Sequence, residues 1–198
     1  MENKEANCFV FCDFSKAFDK VWHRGLLHKM KSYGITGNLI DWYSSFLKGR
    51  RQKVAIKNNS SEYCEISARV PQVSVLGPLL FIIYINDIAD KLVSLNRLFA
   101  DDTSFGYSNQ DSMQLKNVID HDLNEMDIWS KKWLMSFNSD KTEIMIFSNR
   151  SIPENLDLSF NAKSVPITTS QKHLGVTFSN DAKWNTHVDN IQSSVSKH

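Results

Sequence analysis

Asp101-Asp102 sets two adjacent carboxylates between two short apolar runs, residues 95–100 and 103–107. Runs of that length around a polar pair predict a tight β-hairpin with the acids at its tip. A third acid, Asp13, closes another strand-like run, Phe9-Val10-Phe11-Cys12. If the two strands are neighbours, three carboxylates converge. Carboxylate oxygens are hard ligands suited to a divalent cation. Divalent metal at paired acids usually serves phosphoryl transfer. Alone, Asp-Asp is also an ordinary turn sequence, because Asp bonds its own backbone. The surrounding elements and motifs decide between the two.

Residues 9–13 predict a buried strand that passes straight into a helical turn. Phe14, Ala17, Phe18, Val21 and Trp22 fall at i, i+3, i+4, i+7 and i+8. Helices are predicted over 26–33, stopped by Gly34, and over 39–47, ended by Gly49. Residues 51–57 alternate as a strand and 63–67 can pair with them. A loop over 71–78 leads to a buried helix with Pro78 in its first turn, reaching Leu92. After the 95–107 hairpin, an apolar stripe from Leu115 to Trp133 predicts a long amphipathic helix. A strand over 142–147, a second hairpin over 156–160 and 164–168, a strand over 173–178 and a helix over 185–196 complete the chain. Strands and helices interleave without a strict βαβ rhythm, which gives an α+β fold.

At 198 residues and 41% hydrophobic, the chain suits one folded domain with a sizeable core. A net charge of +1 lends no global support to a nucleic-acid partner. Basic residues do cluster locally, at Lys48, Arg50, Arg51 and Lys53 and at Lys131-Lys132. Three cysteines, odd in number and without zinc spacing, predict reduced thiols in an intracellular protein. No secretory signal opens the chain. The longest apolar run, residues 79–85, falls far short of the roughly 20 residues of a membrane span. A soluble protein with no membrane partner is expected.

Residues 13–23, Asp-Phe-Ser-Lys-Ala-Phe-Asp-Lys-Val-Trp-His, resemble motif A of reverse transcriptases from non-LTR (LINE-like, jockey-type) retrotransposons. Val70-Pro71-Gln72, followed by residues 74–81, is similar to motif B, and Phe99-Ala100-Asp101-Asp102 to motif C. Ser136-Phe137-Asn138 with Asp140-Lys141-Thr142 resembles motif D. His173-Leu174-Gly175-Val176, with Trp184 and His187, resembles the region beyond it, which includes the primer grip. The motifs occur in the family's order across nearly the whole chain.

The resemblance implies the palm of a right-hand polymerase: an antiparallel sheet with helices packed on one face. On this reading residues 1–184 are a partial reverse transcriptase palm, the preceding fingers are missing, and residues 185–198 begin a thumb or connection. The implied activity is RNA-directed DNA synthesis for a mobile element, impaired in a truncated copy. Its partners would be an RNA template, a DNA primer and deoxynucleoside triphosphates. Its cofactor would be a pair of Mg²⁺ ions, with Mn²⁺ as the alternative. Asp13 and Asp101 would be the principal metal ligands and Asp102 a secondary one. The backbone of Phe14, Ser15, Lys16 and Ala17 would face the phosphates. Phe18 stands where the family senses the 2′ side of the sugar, and Gln72 where it touches nucleotide or template. Lys141 would protonate the leaving pyrophosphate or offset its charge. By residue type alone, Phe18 is also a core residue, and Gln72 and Lys141 are also solvated side chains. Trp184 and His187 fit either the primer end or packing beneath a terminal helix.

The chain departs from the pattern at two places in motif B. Arg69 and Val73 stand where the family has glycine, the residue used for positive φ or close backbone approach. Phe99 replaces the more usual Tyr. These changes keep a second reading open, a non-catalytic remnant that at most binds nucleic acid. A third is another palm polymerase, such as an intron maturase.

Overall fold

The computed structural model describes residues 5–71, 74–148 and 156–196. In chain order the elements are β1 (Ala6–Asp13), α1 (His23–Ser32), α2 (Gly37–Leu47), and the two-residue strands β2 (Arg51–Gln52), β3 (Ala55–Ile56), β4 (Asn59–Ser60) and β5 (Cys64–Glu65). Next come α3 (Leu76–Ile85), β6 (Leu95–Phe99), β7 (Asp102–Asn109), α4 (Ser112–Lys132) and β8 (Glu143–Phe147). The chain ends with β9 (Ser159–Phe160), β10 (Lys163–Ser164), β11 (Ile167–Thr168), β12 (Ser170–His173), β13 (Val176–Ser179) and α5 (Asn185–Val195). Short 3-10 turns cover Ala17–Lys20 and Asn86–Lys91. The chain folds as two compact units. One holds the N-terminal strand through Ser15, Ile88–Ser130 and the chain from Ser136 onward. The other holds Lys16–Asp87 and Lys131–Met135.

The first unit is built on a five-stranded sheet in the order β11-β8-β1-β7-β6. Register places Val10 opposite both Phe105 and Ile144, Cys8 opposite Ile146, and Cys12 opposite Thr103. Alternation then puts these side chains on one face, and all are buried. The α4 residues Leu115, Ile119, Leu123 and Met126 are buried too, and Trp129 meets the Phe14 ring at 6.1 Å. Phe137 stacks on Phe14 at 4.4 Å and touches Phe160 at 5.4 Å. On the opposite face β1 presents Phe9, Phe11 and Asp13. Gly106, opposite Phe9, is required there: a Cβ would come 2.5 Å from the Phe9 ring.

Asp122, on α4, is fully buried, and its two carboxylate oxygens accept the backbone N–H groups of Val93 and Ser94, each at 2.9 Å. This fixes the entry to β6 and hence the hairpin that carries the acids. Asp122→Ala should cost about 2–3 kcal/mol, because a charged acceptor is lost and Ser94 N–H is left buried. Urea unfolding of the two proteins measures it.

In the second unit α1, α2 and α3 bury Leu26 and Met30, Ile40 and Leu47, and Leu80, Phe81 and Tyr84 respectively. The segment 68–70 runs antiparallel to 18–22. Arg69 N–H donates to Val21 O at 2.9 Å, Val70 N–H to Phe18 O at 2.9 Å, and Trp22 bridges Ala68. Arg69 has φ +94, a conformation that favours glycine. The backbone therefore makes the demand that a family glycine at this position would meet. Arg69→Gly relieves this strain at the loss of an exposed ion pair to Asp19 (3.0 Å) and an exposed hydrogen bond to Gln52 (2.8 Å), together worth at most about 1 kcal/mol. The substitution should raise stability by about 1 kcal/mol, read as a higher urea midpoint with unchanged slope.

Several elements differ from the sequence reading. The stripe 14–22 is not one continuous helix: the expected helical turn is a single 3-10 turn over Ala17–Lys20. Phe14 bridges Phe137 as an extension of β1, Lys16 turns left-handed at φ 53, and α1 starts only at His23. The helix after the loop starts two residues earlier than expected, at Leu76, which keeps Pro78 in its first turn, and it yields to a 3-10 turn at Asn86. Residues 51–57 form no continuous strand but two short exposed ladders, β2–β5 and β3–β4. Within 164–168 the chain divides, and β11 joins β8 in parallel, the one parallel pairing in an otherwise antiparallel sheet. Residues 173–178 hold the turn of the β12–β13 hairpin, because Leu174 and Gly175 both have positive φ.

Candidate active site

β1 and β7 are adjacent and antiparallel, and Asp13 is the cross-strand partner of Asp102. Both side chains therefore stand on the same sheet face, the one opposite Val10 and Phe105. The β6–β7 turn is two residues long, Ala100 and Asp101, with Ala100 left-handed at φ 52. Asp101 is thus at the tip, as expected, while Asp102 opens the strand. Of the three expected carboxylates, two face each other and the third stands one residue along.

Lys141 comes to this pair from a turn organised by Asn138. The Asn138 side chain accepts Asp140 N–H at 3.2 Å, and its carbonyl accepts both Lys141 N–H at 3.1 Å and the Thr142 hydroxyl at 3.0 Å. Such an Asx turn is local chemistry written in the sequence. The turn is tied to β1, since Asn138 N–H donates to Asp13 O at 2.7 Å and Ser15 N–H to Ser136 O at 2.8 Å. Lys141 Nζ then donates to Asp13 Oδ2 at 2.7 Å. The Asp13 carboxylate next to Lys141 raises the ammonium's pKa, with smaller contributions from Asp101 and Asp102. Burial pushes the Asp102 carboxyl up; Asp101 and Asp13 add to this, while His173 and Lys141 oppose it.

Asp13 and Asp102 line a mostly polar recess of about 330 Å³ together with Lys141, Asp140, Glu143 and His173. Sequence reasoning did not select Glu143 or His173 as site residues. Glu143 was legible through register, since it pairs with Phe11 on the Asp13 face. His173 was not, because it arrives on the β12–β13 hairpin, where its ring meets Phe11 at 5.2 Å.

The other expected site residues are placed as follows. Phe14 is buried in the ring cluster, which leaves only its backbone for a ligand. Ser15 is half-buried and Lys16 exposed. Ala17 is buried, and the half-buried Phe18 packs on Phe81 at 4.9 Å. Gln72 and Val73 lie outside the described residues. Trp184 and His187 pack near β13, with Thr177 N–H donating to His187 Nδ1 at 3.3 Å.

Among the described residues no group of three or more His, Cys, Asp or Glu is gathered as a metal site. The donor set nevertheless suits a hard cation. Asp13 and Asp102 offer carboxylate oxygens from adjacent strands, and Asp13 already holds a cation, the Lys141 ammonium. Mg²⁺ commonly takes one or two protein carboxylates and completes its shell with water and phosphate.

A β-hairpin delivering adjacent acids beside a third on a central strand, backed by a helix, is the layout of a polymerase palm. The chain belongs to the family "Reverse transcriptase (RNA-dependent DNA polymerase)", whose model matches residues 1–178. It is 31% identical over 204 aligned residues to the RNA-directed DNA polymerase from mobile element jockey of Drosophila melanogaster, covering 98% of this chain and 22% of that protein. It is 30% identical to the probable RNA-directed DNA polymerase from transposon X-element of the same species, with 100% and 22% covered. The chain thus spans about a fifth of the length of these relatives. An apo telomerase from Candida tropicalis shares the fold, with TM-score 0.61, 13% identity and coverage of 88% of this chain and 34% of that one. No helix among the described residues is long and apolar enough to cross a membrane.

Proposed function

We propose that this chain carries the catalytic palm of an RNA-directed DNA polymerase. The observation that carries this reading is the register of Asp13 on Asp102, with Asp101 at the adjoining turn. Asp13, Asp101 and Asp102 would hold Mg²⁺, or Mn²⁺ in its place. When bound, such ions activate a primer 3′-hydroxyl and stabilise the leaving pyrophosphate. Lys141 donates to Asp13 and would serve the leaving pyrophosphate as a proton donor or as a counter-charge. The backbone of Phe14, Ser15, Lys16 and Ala17, together with Phe18 and Gln72, would contact the deoxynucleoside triphosphate; support here is the match to the family's motif A and motif B. Phe18 would exclude ribonucleotides by bulk. Its packing on Phe81 fits a braced ring.

The test is Mg²⁺-dependent extension of a DNA primer on an RNA template. It is run with this chain and with a protein in which the preceding region of a jockey-type relative is fused to it. Extension that needs both metal and Asp101 supports the proposal. Extension unaffected by Asp101→Asn overturns it. A second reading, a domain that at most binds nucleic acid, is favoured by Arg69 in a glycine conformation beside motif B. Absence of extension in both proteins, together with recovery on restoring glycine at 69 and 73, would assign this copy to that reading.

A further inference from the structure

We propose that the cleft between the start of α1, the end of α2 and the chain leaving β5 binds a small aromatic carboxylate. It lies wholly within the second unit and shares no residue with the acidic recess. The site is independent of the polymerase activity.

The cleft has a volume of about 350 Å³, within the range of small-molecule sites. Its walls are apolar, built from Trp22, Leu27, Leu47 and Ile66. Trp22 lines the space without filling it. Its ring lies against α1 at Gly25, where a Cβ would come 2.5 Å from the ring. An indole on an apolar wall suits a planar aromatic occupant, which gains ring contact beyond area burial.

One polar side chain of the lining is buried. His23 is 8% exposed, and its Nε2 meets Arg69 O at 2.8 Å. A carbonyl only accepts, so the hydrogen sits on Nε2 and Nδ1 is left as an acceptor. No donor among the described residues reaches Nδ1. A ligand N–H or O–H in the cleft would supply one.

Charge selects the rest of the ligand. Arg24 and Lys48 also line the cleft, and neither is in an ion pair among the described residues. No acid lines it. Helix α1 begins here uncapped: Trp22 makes no side-chain bond to it, and its first turn holds no acid. First-turn N–H groups have no intrahelical acceptor and form the positive end of the helix dipole. An anion complements both the cations and the helix start. The C-terminus of α2 also borders the cleft and disfavours negative charge, so the carboxylate belongs at the α1 end.

The experiment is calorimetric titration of the full chain with indole-3-propionate, without metal or nucleotide. One saturable site is expected, with a dissociation constant of about 0.1–1 mM for a ligand of this size. Tryptamine, the same ring with an ammonium, should bind at least about ten-fold more weakly. 1-Methylindole-3-propionate, which lacks the N–H, should bind roughly ten-fold more weakly. These two comparisons change only the ligand, so folding does not enter. Ser44→Phe puts a ring into the cleft and should abolish binding, with circular dichroism confirming the helices. Arg24→Ala with Lys48→Ala should weaken indole-3-propionate by about ten-fold and leave tryptamine no weaker. The proposal is overturned if the wild-type chain shows no saturable binding, if tryptamine binds as tightly, or if folded Ser44→Phe binds like wild type. Should Ser44→Phe not fold, the ligand comparisons decide. Equal affinity for the methylated ligand would overturn the role of His23.

Discussion

Asp101→Asn and Asp13→Asn should each lower RNA-templated primer extension by at least about a hundred-fold, since even groups behind a metal's direct ligands cost 10–100-fold when lost. The two substitutions reach the loss by different routes. Asp101 stands on a two-residue turn whose backbone is set by Ala100 at φ 52, so removing its charge alters neither strand pairing nor packing. Asp13 is held by Lys141, so its loss also releases that ammonium. Lys141→Ala should therefore behave differently from both. On the proposed role of Lys141 toward the leaving pyrophosphate it should lower the turnover number, and it should strengthen metal binding by removing a competing cation from Asp13. Steady-state extension measured against metal concentration separates these effects. A lower turnover with a lower half-saturating Mg²⁺ is the expected pattern.

The second large effect concerns a buried ion pair in the other unit. Lys29 is 2% exposed. Its ammonium donates to Asp87 and, at 2.6 Å, to Tyr84 O, and lies 3.9 Å from the Trp133 ring centroid. Burial pulls its pKa down to about 8, against the opposing pull of Asp87. Asp87→Ala leaves the ammonium without its carboxylate and should cost about 3 kcal/mol, the low end for a broken buried pair because Asp87 is partly exposed. Lys29→Met keeps the volume and removes the buried ammonium but takes a donor from Asp87 and Tyr84 O, so it should cost less than Asp87→Ala because Asp87 is partly exposed. The pH dependence has a definite sign. Between about pH 8 and the unfolded value of 10.5 the unfolded chain holds more protons on this lysine than the folded one. Wild type should therefore gain stability relative to Lys29→Met as pH rises through that window, and the difference should be flat below it. Urea unfolding at pH 7, 8 and 9 tests this.

The parts of the fold that the sequence announced are those governed by local rules. The 95–107 hairpin, the long helix ending near Trp133 and the run into Asp13 follow from alternation, apolar stripes and turn chemistry. The facing of Asp13 and Asp102 was legible because each sits at the end of an apolar run. The errors arose where backbone conformation overrode side-chain periodicity. Phe14 to Trp22 has a helical stripe, but left-handed Lys16 and the bridge from Trp22 to Ala68 break it. His173-Leu174-Gly175 reads as strand entry, but two positive φ values make it a hairpin turn. The pairing of β11 with β8 joins distant segments in parallel, which no local pattern specifies. Within the site, His173 was missed because only tertiary structure brings it to Asp102. The glycine demand at position 69 was read from the family motif and reappears in the geometry as φ +94.

The most direct test of the central claim is Mn²⁺ binding followed by electron paramagnetic resonance, because it needs neither template nor the rest of a longer polymerase. The wild-type chain should bind Mn²⁺ in competition with Mg²⁺. Asp13→Asn combined with Asp101→Asn should abolish that binding, and Lys141→Ala should tighten it. Unchanged Mn²⁺ binding in the doubly substituted chain would show that the facing acids of β1 and β7 are not the metal site.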